Sequence, residues 1–222
     1  MTATPDRPPG PKLRRFAAGF LLLTAAVTFA VWALRGYGTD AARLAGSADR
    51  EDRIQAIDLL RQRTDDTSRQ VLFGLCSDGD LRVAATAVWA LGQAHDAAAG
   101  EMLLKLLADK GRHGRVRGEA AAMLGRFKDV PPVFLTRALA EERDPAVRAG
   151  AARGLYGMRA RRAVPALVGA LRDPDRNVRK WVLAALHHMT VRRFGYDPSL
   201  PPDRQAGAIR EIEDAFREAG AL

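Results

Sequence analysis

The chain has 222 residues, 47% of them hydrophobic and only 6% aromatic, and its formal net charge is +9. This hydrophobic content is ample for a core, and alanine at the apolar positions suits closely stacked helices better than a sheet. A single cysteine, Cys76, excludes an internal disulfide and a cysteine metal cluster, and we expect a buried, inert thiol.

The positive charge lies in two places. Residues 1–35 have a net charge of +4 and residues 153–193 one of +8, whereas residues 36–152 are neutral and the remaining tail is −3. A nucleic-acid-binding chain typically spreads its basic residues along one face. We therefore expect no nucleic-acid partner.

The N-terminal region predicts a membrane anchor. Residues 1–15 are rich in proline and basic residues and should be unstructured, whereas residues 16–34 carry no charge. As a helix, residues 16–34 would be about 28 Å long, close to the roughly 30 Å hydrocarbon thickness of a bilayer. We interpret them as an uncleaved transmembrane signal anchor, followed by a linker at 35–39. A cleaved secretory signal peptide is the alternative, with Val31 and Ala33 near its cleavage site.

The flanking charges predict the orientation of this segment. Four basic residues precede it between Arg7 and Arg15, and two, Arg35 and Arg43, follow it. By the positive-inside rule the N-terminus is cytoplasmic and the rest of the chain is extracytoplasmic.

Residues 40–189 contain a periodic pattern. Its clearest copy is Asp144, Val147, Arg148, Ala151 and Leu155, and it returns 31 residues later as Asp175, Val178, Arg179, Val182 and Leu186. Weaker copies precede it, and a second series alternates with it at a spacing of 32 residues: Leu75, Leu107, Leu139 and Leu171. The aspartate is a typical helix N-cap, and the apolar residues that follow share one helix face. The pattern therefore predicts stacked helical hairpins that bury their apolar faces against one another.

We assign the helices in pairs. The predicted pairs are Asp40–Gly46 with Asp52–Arg63, Ser68–Cys76 with Asp80–Gln93, Ala98–Ala108 with Arg115–Arg126, Pro132–Ala140 with Pro145–Met158, and Ala163–Leu171 with Arg176–Met189. Residues 190–222 do not follow the repeat pattern. They contain a proline-rich loop that begins FGYDP at Phe194, and then an amphipathic helix, about Asp203–Ala219, that should cap the array.

The repeated D-x-x-V-R-x-x-A-x-x-x-L pattern over residues 49–189 resembles HEAT repeats, of the short alanine-rich kind also found in phycobilin lyases and many bacterial proteins. The resemblance implies an all-α fold, an α-solenoid of about five helical hairpins with a C-terminal capping helix. Together with residues 16–34, this gives a solenoid preceded by one transmembrane helix. In that family the repeated Asp and Arg often bond between adjacent units as a ladder, which implies structural roles for Asp144, Arg148, Asp175 and Arg179.

Sequence motifs for catalysis are absent. The chain has no glycine-rich phosphate loop, no G-x-S-x-G and no HExxH, and the neighbours His187 and His188 should point to different sides of their helix. We therefore expect a noncatalytic protein without cofactor or metal. Two alternatives remain open by resemblance: a bilin-lyase-like enzyme that handles a chromophore, and a nucleic-acid-binding HEAT-like protein.

The resemblance also predicts a binding surface, because the second helices of HEAT arrays line their concave face. Positions two and six after the repeat valine should point outward there. Trp89 and Arg153 occupy two of them and are residue types that dominate interface energetics. Small residues at other such positions, Gly118, Ala122 and Ala149, should leave room for a partner segment. The alternative for Trp89 is packing under a loop, and Trp181 is expected in the core.

Two further features are candidate sites. Basic residues at the last repeats should contact an acidic protein or anionic lipid, the alternative being a solvated polar face: Arg172, Arg176, Lys180, Arg192 and Arg193. The turn at 110–115 has two extra residues and places His113 where the cap aspartate should stand, so it is a secondary partner site. We take FGYDP as structural, with a ligand site as the alternative.

The sequence as a whole predicts a membrane-anchored scaffold for a protein partner.

Overall fold

The computed structural model describes residues 40–190 and 192–222. Within these ranges the chain consists of α-helices, short 3-10 turns and loops, with no β-strand. The predicted segments 1–15, 16–34 and 35–39 lie outside the described residues. From residue 40 onward, position 191 aside, no helix is both long enough and apolar enough to cross a membrane.

The helices alternate between two layers, as the pairing predicts. After a helical stretch at 40–45, the helices are α1 (Arg50–Leu60), α2 (Asp66–Leu75), α3 (Leu81–Gln93), α4 (Ala97–Ala108), α5 (Gly114–Leu124), α6 (Val133–Glu141), α7 (Pro145–Met158), α8 (Val164–Gly169), α9 (Arg176–Met189) and α10 (Ala206–Glu218). The stretch at 40–45 and α2, α4, α6 and α8 are the first helices of five hairpins, and α1, α3, α5, α7 and α9 are the second helices. The first helix of the last hairpin is shorter than predicted, because 3-10 turns flank α8 on both sides.

Each second helix begins at a side-chain cap. Asp144 accepts a hydrogen bond from the Ala146 amide at 2.8 Å, and Asp175 accepts one from the Asn177 amide at the same distance. His113 takes this role in the third unit, where its Nδ1 accepts from the Arg115 amide at 3.1 Å. A cap of this kind typically contributes about 1 kcal/mol. The extra residues of the 110–115 turn therefore still end in a regular helix start.

The apolar series forms the core. The repeat valines, the small residues four positions on and the leucines after them are all buried, and one continuous hydrophobic cluster extends from Ala41 to Phe216. Because neighbouring units share this cluster, no hairpin has a complete core of its own.

The second helices approach each other more closely than the first helices do. Contacts run along the whole series α1, α3, α5, α7 and α9, and they are closest between α5 and α7, whereas successive first helices touch substantially only at α6 and α8. Shorter spacing on one side bends the array toward that side. The second helices therefore line the concave face, as the resemblance implies.

The loop after α9 closes the C-terminal end of the array. Its Tyr196 is buried, and the Tyr196 hydroxyl donates to the Leu171 carbonyl at 2.6 Å. Arg179 of α9 donates to the carbonyls of Pro198 and Leu200 at 2.8 and 3.2 Å. Helix α10 then packs on α8 through Ile209, Ile212 and Phe216. The FGYDP stretch is thus built into the cap.

Candidate partner-binding surface

A backbone contact between α5 and α7 determines the surface shape of the concave face. A Cβ atom at Gly150 would lie 2.0 Å from the Gly118 carbonyl oxygen, and one at Gly118 would lie 2.3 Å from that of Ala146. Only glycine permits this approach. As a consequence Gly118, Ala122 and Ala149 are buried. The expectation that they leave room for a partner is wrong, because the neighbouring helix already fills that room.

Trp89 is the largest exposed side chain on this face. It projects from α3 with 40% of its surface exposed, and the guanidinium of Arg61 lies 5.8 Å from its ring centroid. Within residues 40–190 and 192–222 no loop covers it, so the alternative that Trp89 packs under a loop does not hold there. An exposed indole next to a cation keeps its apolar face available for contact.

Beside Trp89 lies a depression of about 500 Å³ between α3 and α5. We call it the Trp89 depression, and it is lined by Arg82, Ala85, Thr86, Trp89, Arg115 and Glu119. Neither Arg82 nor Arg115 forms an ion pair with any residue of the described ranges. Both arginines are exposed, and each directly precedes the repeat valine of its unit. Sequence reasoning missed them, although their equal position in consecutive units was a readable signal.

Arg153 stands at the centre of a second group on the same face. It pairs with Glu119 across the α5–α7 boundary, and its guanidinium lies 5.8 Å from the ring centroid of Trp181. Tyr156 meets the edge of Trp181 at 6.4 Å and lies 4.4 Å from the His188 ring. Trp181 is only partly buried, so it borders the surface as well as the core. Because Glu119 belongs to both groups, they form one surface.

Ion pairs join neighbouring units as a ladder, but of the four predicted residues only Arg148 takes part in it, and its acceptor is not one of the predicted aspartates. Arg148 reaches Asp173 of the next unit, whereas Asp144 and Asp175 serve as caps. Asp173 is 7% exposed and Arg148 12%. The same step of 25 residues joins Arg53 to Asp78 and Arg117 to Glu142. In the last unit Arg179 bonds to loop carbonyls instead.

Hydrogen bonds within the ladder shift the pKa values of Arg148 and Glu142. The hydrogen bond to Asp173 raises the pKa of Arg148, against the opposing effect of burial. Burial tends to raise the pKa of Glu142, but hydrogen bonds and charge from Arg117 and Lys110 lower it on balance. Arg148 and Glu142 are therefore charged near neutral pH. This supports a structural role for Arg148.

The 110–115 turn fills a gap in the ladder. The second unit has Ala84 where the other units have the ladder arginine. The junction between the second and third units therefore lacks the usual guanidinium. Arg112 supplies one from the turn: its Nε donates to Asp109 at 2.9 Å and its Nη1 to the Ser77 hydroxyl at 2.7 Å. His113, predicted as a secondary partner site, caps α5 from an exposed position. The extra residues thus have a structural use.

The capping helix α10 partly neutralises the basic residues of the last repeats. Arg172 pairs with Glu213 of α10 at 2.8 Å, and Arg192 lies 3.9 Å from Glu211. Arg176 and Lys180 are exposed and form no ion pair with the described residues. Across those same ranges, no group of three or more His, Cys, Asp or Glu side chains could hold a metal ion.

Comparison with known proteins agrees with this architecture. A family model described as HEAT repeats matches residues 41–125 and 132–202. No curated protein matches the chain.

Several solved structures match parts of the chain. An engineered protein from the Northeast Structural Genomics Consortium is 23% identical, with a TM-score of 0.44, and the match covers 69% of this chain and 79% of that one. A designed armadillo repeat protein in complex with the peptide (KR)4 is 18% identical over 68% of this chain and 80% of that one, with a TM-score of 0.45. Another designed armadillo repeat protein is 17% identical over 80% and 90%, with a TM-score of 0.44.

Proposed function

The chain belongs to the family of HEAT repeat proteins, and from this premise we propose that it is a noncatalytic scaffold that binds a segment of a protein partner on its concave face. The observation that carries the proposal is the Trp89 depression. There an exposed indole lies beside two arginines, Arg82 and Arg115, that have no ion-pair partner among the described residues.

The residue types favour a protein partner. Tryptophan and arginine are the side chains most enriched among the residues that dominate binding energy at protein interfaces. Trp89 offers an apolar surface that needs no rearrangement to become accessible, since 40% of it is already exposed. A partner side chain that covers the indole would displace water from both surfaces.

Charge complementarity indicates an acidic segment. The charged residues of this face are partly or fully exposed and mostly basic: Arg61, Arg82, Arg115 and Arg153, against Asp58 and Glu119. Carboxylates of the partner would give Arg82 and Arg115 the ion pairs that they lack. Such pairing speeds encounter and selects against basic partners more than it adds raw affinity.

The partner segment would cross more than one unit. From the Trp89 depression, Glu119 leads directly to Arg153 and then to Tyr156 and Trp181. Neighbouring packed helices lie about 8–10 Å apart, so a segment that reached from Trp89 to Trp181 would span three such steps. We place Arg153 in the second half of this interface.

We also propose that residues 16–34 anchor the array in a membrane with the repeats on the extracytoplasmic side. The support is the uncharged length of that segment and the basic residues before it. In this arrangement the exposed cations Arg176 and Lys180 near the end of the array are available to anionic lipid or to an acidic protein.

The test is a crosslinked pull-down from detergent-solubilised membranes with three forms of the full chain. These are the unmodified protein, Trp89→Ala, and the control Phe134→Ala. Phe134 is a suitable control because it is 45% exposed and lies on α6, a first helix. The proposal predicts a partner that is recovered with the unmodified protein and the control and lost with Trp89→Ala. Loss with Phe134→Ala alone would place the interface on the first helices and overturn the proposal.

A further inference from the structure

A second concave site lies at the C-terminal end of the array, away from the Trp89 depression. It is a cleft of about 550 Å³ between the last hairpin and α10. Its walls are mainly apolar, and they include Val164, Met189, Phe194, Ala215 and Phe216. This size and lining are typical of pockets that enclose small molecules.

A few polar groups border the same cleft. They are Arg161, Thr190, and the two histidines His187 and His188. The sequence places these histidines on different sides of α9, yet both border the cleft because the loop and α10 wrap around that end of the helix. His188 Nδ1 is buried and has no hydrogen-bond partner among the described residues.

One of these histidines, His187, is uncharged near neutral pH. His187 stacks on Phe194 at 5.8 Å between ring centroids, and its Nε2 accepts a long hydrogen bond of 3.5 Å from the Phe194 amide. Burial lowers the pKa of His187, and the positive charge of Arg193 lowers it further. His187 thus adds no positive charge to the cleft near neutral pH.

Among the described residues that line the cleft, Arg161 is the only Arg, Lys, Asp or Glu. It is exposed in the 3-10 turn before α8 and forms no ion pair within residues 40–190 and 192–222. An apolar cleft with an unpaired guanidinium at its edge complements a molecule with an apolar body and one anionic end. Guanidinium binds carboxylate with two parallel hydrogen bonds, which is the strong form of this interaction.

We propose that this cleft binds an amphipathic carboxylate of the fatty-acid type. The hydrocarbon chain lies against Phe194, Met189 and Phe216, and the carboxylate pairs with Arg161. This site shares no residue with the Trp89 depression, so it stands whether or not a protein partner binds there.

The experiment uses the full chain in lipid nanodiscs and a dodecanoate that carries a photoactivatable diazirine. After irradiation, labelled peptides are mapped by mass spectrometry. The proposal predicts labels on peptides that contain Met189 or Ala215, and it predicts that excess dodecanoate removes them whereas 1-dodecanol does not. Labels confined to other peptides, or equal competition by 1-dodecanol, would overturn it.

Two arginine variants test the recognition of the anion. Arg161→Gln removes the proposed partner, and Arg162→Gln is the matched control because Arg162 is exposed in the same turn but does not line the cleft. We expect the concentration for half-maximal labelling to rise about tenfold with Arg161→Gln, since one charge-assisted interaction is lost. The control should match the unmodified chain. Equal behaviour of the two variants would contradict the proposal.

A third variant tests the apolar part. Ala215→Phe adds a bulky side chain to the wall of the cleft and should abolish labelling there. Thermal unfolding of this variant shows whether it is folded. A folded Ala215→Phe protein that labels at the same peptides would also contradict the proposal.

Discussion

Arg148 binds both carboxylate oxygens of Asp173 in the next unit, with Nε to Oδ2 at 2.7 Å and Nη2 to Oδ1 at 3.0 Å. A further nitrogen of Arg148, Nη1, donates to the carbonyls of Glu142 and Arg143 at 3.0 and 2.8 Å. One side chain thus joins its own inter-helix turn to that of the following hairpin. The stacking of units is therefore fixed by buried charge as well as by the apolar core.

Removal of Asp173 should be costly. Asp173→Ala leaves the buried guanidinium of Arg148 without its carboxylate, and breaking a buried pair in this way typically costs about 3–5 kcal/mol. Glu141→Ala is the control, because it breaks the exposed Arg137–Glu141 pair and should cost less than about 1 kcal/mol. Equilibrium urea unfolding measures both. Similar losses for the two variants would show that Asp173 is not a structural ladder residue.

Two glycine substitutions should have opposite effects on the free energy of unfolding, because only one of the two glycines lies at the contact between α5 and α7. Gly150→Ala places a Cβ atom 2.0 Å from the Gly118 carbonyl oxygen, so the two backbones must separate. Overpacking of this kind typically costs about 1–3 kcal/mol or more. Gly74→Ala, in helix α2, meets no atom within 4 Å and should stabilise by roughly 0.5–1 kcal/mol through helix propensity. Urea unfolding distinguishes the two signs, and a stabilising Gly150→Ala would disprove the close contact.

Cys76 should be unreactive in the folded protein. Its side chain is buried, its Sγ atom lies 3.2 Å from the Leu72 carbonyl oxygen, and burial raises the pKa of the thiol to about 12. Thiolate is the reactive form, so a disulfide reagent at pH 8 should modify Cys76 only after denaturation. Modification within minutes under native conditions would mean that the second hairpin opens readily.

The folded protein should lose stability on mild acidification. Because burial lowers the pKa of His187 below its usual 6.5, the unfolded chain takes up this proton before the folded chain does. The free energy of unfolding should therefore be constant above about pH 7.5 and fall as the pH drops through 6.5 toward 5.

Substitution separates His187 from the other titrating groups. His187→Gln should flatten this part of the stability curve, and the exposed His95→Asn should not. Asparagine is chosen because residue 95 has a φ of 53°, which asparagine tolerates. An unchanged curve for His187→Gln would assign the pH dependence to another group.

The helices and their pairing follow from the sequence because the Asp cap and the buried Val, Ala and Leu recur in register. The acceptor of Arg148 does not follow, since Asp173 lies in a turn whose path depends on the neighbouring unit. The prediction that small residues leave open space on the concave face was also wrong. Gly118 and Ala149 are small because α5 and α7 touch through their backbones, which no pattern within a single helix reveals. Arg112 could be understood only once the gap left by Ala84 was seen in three dimensions.

The central claim is that the second helices form the partner-binding face, and site-specific photocrosslinking tests it most directly. A photoreactive amino acid is placed at Thr86, in the Trp89 depression, or at Thr136, on the first helix α6, and both positions are partly exposed. In intact cells, a crosslinked partner should form from position 86 and not from position 136. A partner that crosslinks at position 136 and not at position 86 would contradict the account.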